Sequence, residues 1–397
     1  MIAQATALAD LPLGTETETE TLYGDAAHRG AERIERRPRE VYMVDPLRDP
    51  RWDGFLGAHP RASLFHSSGW LRALAATYGY RPIAYSTCGF DEPLRNAAVF
   101  CEIDSWITGK RLVSLPFSDH CDWLVDKKED ARTIGSALEK SMAREGWRYI
   151  EVRPLLSSGM SPRLPARLSA RLSQSQVRFA FHELDLRPSL ESIFSKFHKS
   201  STQRKINRAR REGLAYREGS SAELLNHFYR LLQMSRERHG LPPQPRKWFA
   251  NLIRCCGDAV KIRVAFKDSR PVAAMMTARY KDSMVYKYGG SDSRFHRFGG
   301  MHLLFWNAIQ EAKQAGLRRF DFGRTDADQQ GLITFKGRWG AVESVLDYSR
   351  YSAGASSSHA FDLPAGQWKI KAAKFVVSHL PSSVVSGIGR MIYGHAG

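Results

Sequence analysis

The sequence lacks any long apolar run. A helix needs about 20 consecutive apolar residues to cross a bilayer, and no segment of the 397 residues approaches that length. The opening segment, MIAQATALADLPLGTETETETLYGD, also lacks the basic start and the apolar core of a secretory signal. We therefore expect a cytoplasmic protein that can lie at the inner membrane face only peripherally.

Cysteine is scarce and irregularly placed. The five cysteines are odd in number, and the adjacent pair Cys255 and Cys256 is sterically unsuited to a disulfide. Neither the cysteines nor the 13 histidines stand at the spacing of metal ligands. The sequence thus predicts no disulfide framework and no bound metal, which fits a reducing compartment.

Acidic residues are the minority among the charged ones. The chain has 59 Lys and Arg against 41 Asp and Glu, which gives a formal net charge of +18 at pH 7. A field of that sign attracts nucleic acid, anionic lipid head groups and phosphorylated substrates. The charge alone does not choose among these partners.

The chain is long enough for two domains. A hydrophobic content of 43% over 397 residues exceeds what one core usually holds. Residues 1–40 contain a Thr-Glu repeat and few large apolar groups, so we expect a disordered tail. We assign 41–176 and 177–352 to two successive units, and 353–397 to a linker and a basic tail. Each unit shows the order strand, helix, antiparallel meander, helix, strand, which predicts an α/β fold with one mixed, mostly antiparallel sheet per unit and a cleft between them.

The segment FDFGRTDADQQGLITFKGRWGAVE, at 320–343, is the most informative for function. Its Lys336 is predicted to lie at a strand end between apolar neighbours. A cation fixed there can meet an anionic substrate or a developing oxyanion. An ordinary surface lysine beside a strand is the alternative.

Candidate carboxylates lie in LPFSDHCDWL. Asp119 and Asp122 follow a predicted strand and flank His120. A carboxylate can take a proton from an attacking amine, whereas the alternative is that both aspartates cap loops. The sequence does not choose between the two residues.

A basic stretch, FSKFHKSSTQRKINRARREG, predicts a phosphate-binding surface. On a helix, Arg204, Arg208 and Arg211 share one face. The phosphates of a tRNA, of a lipid-linked sugar or of an acyl donor would all suit arginine forks, and a solvated helix face is the alternative. Further candidates for substrate or phosphate binding are Arg236, Tyr288, Arg297, Gly299, Gly300 and Arg324.

The order of these segments resembles the FemAB family. AFKDSRPVAAMMTARYKDSMVYKYGGSD precedes a Gly-Gly turn, the helix LLFWNAIQEAKQAG, then FDFG and FKGRWG. HSSGWLRALAATYGYRPIAY and LPFSDHCDWL in the first unit resemble the family more loosely. The resemblance covers most of Val41 to Tyr351, and it is to the Gram-negative branch of BioF2-like or GNAT-type acyltransferases, often linked to exopolysaccharide or cellulose production.

This resemblance implies a fold and an activity. The fold would be two tandem GNAT-like domains, and the activity would be formation of an amide bond between an activated acyl or aminoacyl group and an amine of a cell-envelope precursor. The resemblance also implies that Lys336 contacts the carbonyl or phosphate of the donor. An aspartate in the LPFSDHCDWL neighbourhood would assist the acceptor amine.

The donor stays open at this point. A GNAT enzyme that uses coenzyme A carries a Q/R-x-x-G-x-G/A turn before a helix, and the stretch SRFHRFGGMHLLFW departs from that spacing. Gly299 and Gly300 can equally form a plain turn. We therefore expect either an acyl-CoA such as acetyl-CoA or an aminoacyl-tRNA as donor, and an envelope glycan or lipid-linked precursor as acceptor.

The basic tail has its own prediction. Over 365–394, Lys369, Lys371 and Lys374 alternate with apolar residues, a pattern typical of a short helix on an anionic membrane or of one docked on the protein itself. The sequence thus favours an N-acyltransferase, with a non-catalytic tandem GNAT protein that binds nucleic acid, anionic lipid or phosphorylated glycan as the alternative.

Overall fold

A computed structural model describes residues 40–106, 109–155 and 172–353. The predicted N-terminal tail, most of the segment that joins the two units and the basic C-terminal tail lie outside these residues. Within them, no helix is long and apolar enough to cross a membrane.

The described residues form twelve strands and nine α-helices. The strands are β1 (Tyr42–Val44), β2 (Arg81–Ser86), β3 (Ala98–Ile103), β4 (Arg111–Val113), β5 (Tyr149–Val152), β6 (Leu172–Asp185), β7 (Ala215–Gly219), β8 (Val260–Lys267), β9 (Arg270–Tyr280), β10 (Ser283–Ser291), β11 (Arg319–Asp326) and β12 (Val342–Ala353). The helices are α1 (Trp52–Ala58), α2 (Ser68–Tyr78), α3 (Lys128–Glu145), α4 (Leu190–Ser195), α5 (Arg204–Arg211), α6 (Ala222–Arg238), α7 (Arg246–Cys256), α8 (Gly300–Gln314) and α9 (Gln330–Gly337).

Local sequence signals explain where several helices begin. Ser67 precedes α2 and its hydroxyl accepts the Trp70 backbone N–H, and Ser221 does the same for the Leu224 N–H at the start of α6. The sequence predicts a helix over Ser68–Tyr78 and a strand over Arg81–Ser86, and α2 and β2 have these bounds. Helices α1, α7 and α9 were not predicted. The sequence also predicts a strand over Phe179–Leu184, and β6 is longer than this at both ends.

All twelve strands of the described part join one sheet, in the order β1-β2-β3-β4-β5-β12-β6-β11-β10-β9-β8-β7. The predicted mixed, mostly antiparallel α/β fold is confirmed, but the sheets of the two units are continuous. We call β1–β5 with α1–α3 the first half, and β7–β11 with α4–α9 the second half. The two parallel pairs within this sheet are β4 with β5 and β10 with β11.

The long strands β6 and β12 join the halves. In the chain β6 follows β5, yet it pairs with β11 of the second half, while β12 follows β11 and pairs with β5 of the first half. The two strands pair with each other from Glu183 opposite Val342 to Leu172 opposite Ala353. The domain boundary predicted at residue 176 falls inside β6 and stays a prediction.

One hydrophobic core spans both halves. It contains Trp70 of α2 and Trp248 of α7, whose ring centroids lie 5.2 Å apart. A second cluster packs α8 on β9 and β11 and includes Trp339. Because the halves share buried aromatic residues, each one fixes the position of the other.

Candidate functional site

A cavity opens where β10 and β11 separate. These parallel strands pair only from Ser283 to Val285 with Arg319 to Asp321, although both continue further. The space between their outer parts belongs to a cavity of about 1190 Å³. Its walls come from β10, β11, the start of α8, the end of α6, helix α9 and the loop that follows β4.

Irregularities in the two strands shape this opening. In β10 the register passes from Tyr286 opposite Thr277 to Tyr288 opposite Met276, so Lys287 is the extra residue of a β-bulge. In β11 the register shifts between Asp321 and Arg324, next to Gly323 at a φ of 71°. Bulges of this kind redirect side chains and are common beside active sites.

Lys336 lines the cavity. It lies in the last turn of α9 and not at a strand end, so that prediction was wrong. Its Nζ donates to the carbonyls of Gly323 at 2.7 Å and Arg324 at 3.1 Å. Burial lowers the pKa of Lys336 to about 8, against the opposing effect of the Asp119 and Asp321 carboxylates. The ammonium is therefore held in place by the strand that bounds the cavity.

Asp119 reaches the same cavity from the first half. Its loop is fixed in an unusual conformation, because Leu115 and Phe117 have φ of 58° and 60°, and the Tyr348 hydroxyl donates to the Asp119 carbonyl at 2.6 Å. The Lys287 Nζ donates to Asp119 Oδ2 at 2.9 Å. Burial would raise the pKa of Asp119, but Lys287, with help from Arg324 and Lys336, lowers it below the usual value.

Asp122 does not line the cavity. Its Oδ1 accepts the backbone N–H of Leu155 at 2.7 Å, and burial raises its pKa. The structure therefore places Asp119 with Lys336 and gives Asp122 the loop-holding position that was the alternative for both aspartates.

Gly299 and Gly300 lie where α8 begins at the cavity wall. Gly299 has a φ of 76°, and a Cβ atom there would stand 2.5 Å from the Lys205 carbonyl oxygen. Only glycine lets α5 approach the start of α8 this closely. The free backbone N–H groups of a helix start can bind an anion.

The predicted basic face forms a pocket of its own. Arg204, Arg208 and Arg211 of α5 surround a space of about 500 Å³ together with Lys205, Glu212 and Arg297. Lys205 also lines the larger cavity. The arginine face and Arg297 thus form a basic pocket adjoining the start of α8.

The other predicted binding residues, Arg236, Tyr288 and Arg324, all line the larger cavity. Arg236 lines the cavity at the end of α6. Tyr288 is buried, and its hydroxyl accepts the indole N–H of Trp248 at 2.9 Å. The Arg324 guanidinium lies 4.2 Å from the centre of the Phe179 ring, and its Nε is 3.9 Å from Asp119 Oδ1.

Two residues of the cavity wall, Lys287 and Tyr286, were not predicted. The Tyr286 ring packs on Phe305 with centroids 4.7 Å apart, and burial raises the pKa of its hydroxyl to about 12. The signal for both is a lysine between two tyrosines in an apolar strand, YKYGG. Among the described residues, no group of three or more His, Cys, Asp or Glu is placed to hold a metal.

Comparison with known proteins matches one part of the chain to a domain family and shows the fold. Residues 196–336 match the model of the acetyltransferase (GNAT) domain. The UDP-N-acetylmuramoylpentapeptide-lysine N(6)-alanyltransferase of Weissella viridescens is 27% identical over 212 residues, which are 50% of this chain and 60% of that protein. The alignment therefore spans less than two thirds of that relative.

Solved structures agree on the fold. The crystal structure of FemX matches with a TM-score of 0.60 and 15% identity, over 78% of this chain and 96% of that one. A tandem GNAT protein from the clavulanic acid biosynthesis pathway matches with a TM-score of 0.50 and 12% identity, over 80% of this chain and all 100% of that one. Residues 196–336 thus match a GNAT acetyltransferase domain, and the chain is similar in sequence to the Weissella alanyltransferase and has the fold of FemX.

Proposed function

We propose that this protein transfers an acyl or aminoacyl group from an activated donor to an amine. One observation carries the proposal: the cavity that opens between β10 and β11 of the GNAT domain holds both a buried lysine, Lys336, and a carboxylate, Asp119, from the first half. Acyl transfer to nitrogen requires a cation near the carbonyl oxygen and a group that can accept a proton near the nitrogen.

Each step has a candidate residue. The amine nitrogen attacks the donor carbonyl, an N–C bond forms, and the oxyanion that develops lies near the Lys336 ammonium. Two of the three Nζ donors bind carbonyls of β11, which leaves one for that oxygen. Asp119 stabilises the positive charge on the nitrogen and takes its proton. The C–S or C–O bond then breaks, and the proton passes to the departing sulfur or oxygen.

The donor would bind along the second half. An acyl-CoA and an aminoacyl-tRNA both carry phosphates, which suit the start of α8 and the basic pocket of Arg204, Arg208, Arg211 and Arg297. The acyl group would then lie between β10 and β11. These features support a phosphate-bearing donor, and they suit an acyl-CoA and an aminoacyl-tRNA equally.

For the acceptor we propose an amine on a cell-envelope precursor. The name of the Weissella relative specifies a lysine of a UDP-linked muropeptide. The resemblance to the Gram-negative branch suggests exopolysaccharide precursors as a second class of acceptor. A phosphorylated or lipid-linked precursor would also match the net charge of +18.

The test uses purified protein, acetyl-CoA or aminoacyl-tRNA, and a panel of amine-bearing envelope precursors, with the amide product measured by mass spectrometry. Wild-type protein should form product with one of the two donors. Lys336→Met should lower turnover at least about 100-fold, the usual cost of removing an oxyanion donor, while donor binding persists.

Lys313→Met is the matched control. Lys313 also lies in the last turn of a helix and donates to a backbone carbonyl, that of Arg187, but on the exposed surface and away from the cavity. Its turnover should equal that of the wild type. Full activity of Lys336→Met would refute the proposed chemistry, and donor binding without any product would favour the non-catalytic binding protein.

A further inference from the structure

Lys287 is a buried lysine at the junction of the two halves. It is the extra residue of the β10 bulge, and its side chain is 7% exposed. Its Nζ lies 5.3 Å from the Phe65 ring centre, 5.9 Å from that of Trp70 and 5.5 Å from that of Tyr288. Aromatic faces stabilise an ammonium without neutralising it. Two of these rings come from the first half, so the lysine is held from both sides.

The anionic partner of this ammonium is Asp119. The Nζ to Oδ2 distance of 2.9 Å is that of a charge-assisted hydrogen bond. The same carboxylate packs against Gly323, where a Cβ atom would stand 3.0 Å from Oδ2. Oδ2 is therefore fixed between Lys287 and β11. The other oxygen, Oδ1, lies 3.9 Å from the Nε of Arg324.

We propose that Lys287 is a positioning residue, which holds the Asp119 carboxylate ionised and turns Oδ1 toward the acceptor amine. This rests on the proposed function, in which Asp119 takes the proton of the attacking nitrogen. Lys287 itself does not touch the reacting atoms. It acts through the carboxylate by occupying Oδ2 and by offsetting the cost of burying a negative charge.

Other charged groups around Asp119 set the size of the effect. Tyr286 of β10, Arg324 of β11, Lys336 of α9 and Tyr348 of β12 all face it, and His120 is its chain neighbour. Asp321 of β11 faces Lys287. Arg324 and Lys336 remain when Lys287 is removed, so they limit the change. Without Lys287, the cost of burying the carboxylate is offset less, so the pKa of Asp119 should rise.

The first measurement is the pH dependence of kcat/KM for wild type, Lys287→Met and Lys287→Arg. Because Asp119 must be ionised, the acid limb of the Lys287→Met profile should move up by about one to two pH units. Its rate should approach that of the wild type as the pH rises. Lys287→Arg keeps the charge and should keep the limb in place. A profile that falls equally at every pH would overturn the proposal.

The matched control is Lys281→Met. Lys281 also joins the halves, because its Nζ donates to the His59 carbonyl at 2.6 Å, but it does not line the cavity. Loss of this contact should leave the acid limb unchanged. A shift of the limb equal to that of Lys287→Met would show that any broken contact between the halves produces the effect, and would also overturn the proposal.

A second measurement does not depend on activity. In Lys287→Met at pH 7 the Asp119 charge is buried without its partner, so the melting temperature should fall. Adding Asp119→Asn removes that charge, and the double variant should melt higher than Lys287→Met alone. If the second substitution lowers the melting temperature further, the pairing is wrong. If no donor yields product with wild-type protein, the proposed function fails, while this comparison still decides the pairing.

Discussion

The two halves have the same layout but use it differently. Each contains a parallel strand pair connected through a helix, β4-α3-β5 in the first half and β10-α8-β11 in the second. In the second half the strands separate and leave a cavity of about 1190 Å³. In the first half the corresponding opening is filled by residues 114–122. The Ser114 N–H donates to the Glu151 carbonyl at 2.8 Å, and the Cys121 N–H to that of Arg153 at 2.6 Å.

The N-termini of α3 and α8 also differ in how well they suit an anion. Helix α3 has Glu129 and Asp130 in its first turn, and these carboxylates offset the positive end of the helix dipole. Helix α8 starts with Gly300 and has no acidic residue in its first turn. Only the second start is therefore suited to a phosphate. Residues 114–122, which fill the opening of the first half, also place Asp119 in the cavity between β10 and β11. The second half thus forms the cavity, and the first half contributes a side chain to it.

The largest effect on turnover is expected from substitution of an aspartate in residues 114–122. Asp119→Asn should lower turnover about 100-fold, because it removes the proposed proton acceptor without a change of size. Asp122→Asn should change turnover by less than about twofold and lower the free energy of unfolding by about 1 kcal/mol, since it weakens the Leu155 contact and lies outside the cavity. Steady-state kinetics and denaturant unfolding of both variants check this. Equal losses of turnover would break the distinction between a reactive and a structural aspartate.

Short-range signals allowed much of the fold to be predicted. The helix predicted over Ser68–Tyr78 and the strand predicted over Arg81–Ser86 have the bounds of α2 and β2. The i, i+4, i+7 spacing of Arg204, Arg208 and Arg211 was enough to bring these side chains into one pocket. In each case the residues that decide the feature are close together in the chain.

Long-range pairing explains what could not be predicted. The exchange of β6 and β12 between the halves depends on partners more than 150 residues apart, as for the Ser349 hydroxyl and Gln176. The choice of Asp119 over Asp122 depends on Lys287, far along the chain and displaced by a bulge. Lys336 was assigned to a strand end because the eight residues of α9 show little helical pattern and are held by packing on β11 and β6.

Substitution of the glycine at the open cleft should have the next largest effect. Gly299→Ala places a Cβ atom 2.5 Å from the Lys205 carbonyl oxygen at a positive φ, so α5 must move away from α8. We expect the KM for the donor to rise about tenfold, since a strain of 1–3 kcal/mol weakens the anion site by that order.

Gly146→Ala is the counterpart in the first half. Gly146 ends α3 at a φ of 68° with no atom within 4 Å of an added Cβ, so the change should cost about 1 kcal/mol of stability and leave the KM unchanged. Donor titration and thermal unfolding of both variants separate the two effects. A raised KM for Gly146→Ala would mean that the first half also contributes to donor binding.

The smallest effect is expected for donor affinity after substitutions in the basic pocket. The same measurement compares arginines of the second half with one of the first half. Arg204→Ala with Arg211→Ala should weaken donor binding about threefold to tenfold and, for a tRNA, reduce the slope of log affinity against log salt by about two. Arg210→Ala, on the same helix but outside the pocket, and Arg132→Ala, on the exposed face of α3, should each change affinity far less. The measurement is fluorescence anisotropy at several salt concentrations. If all these arginines lower the affinity alike, only the net charge of +18 attracts the donor, and the pocket has no specific part in binding.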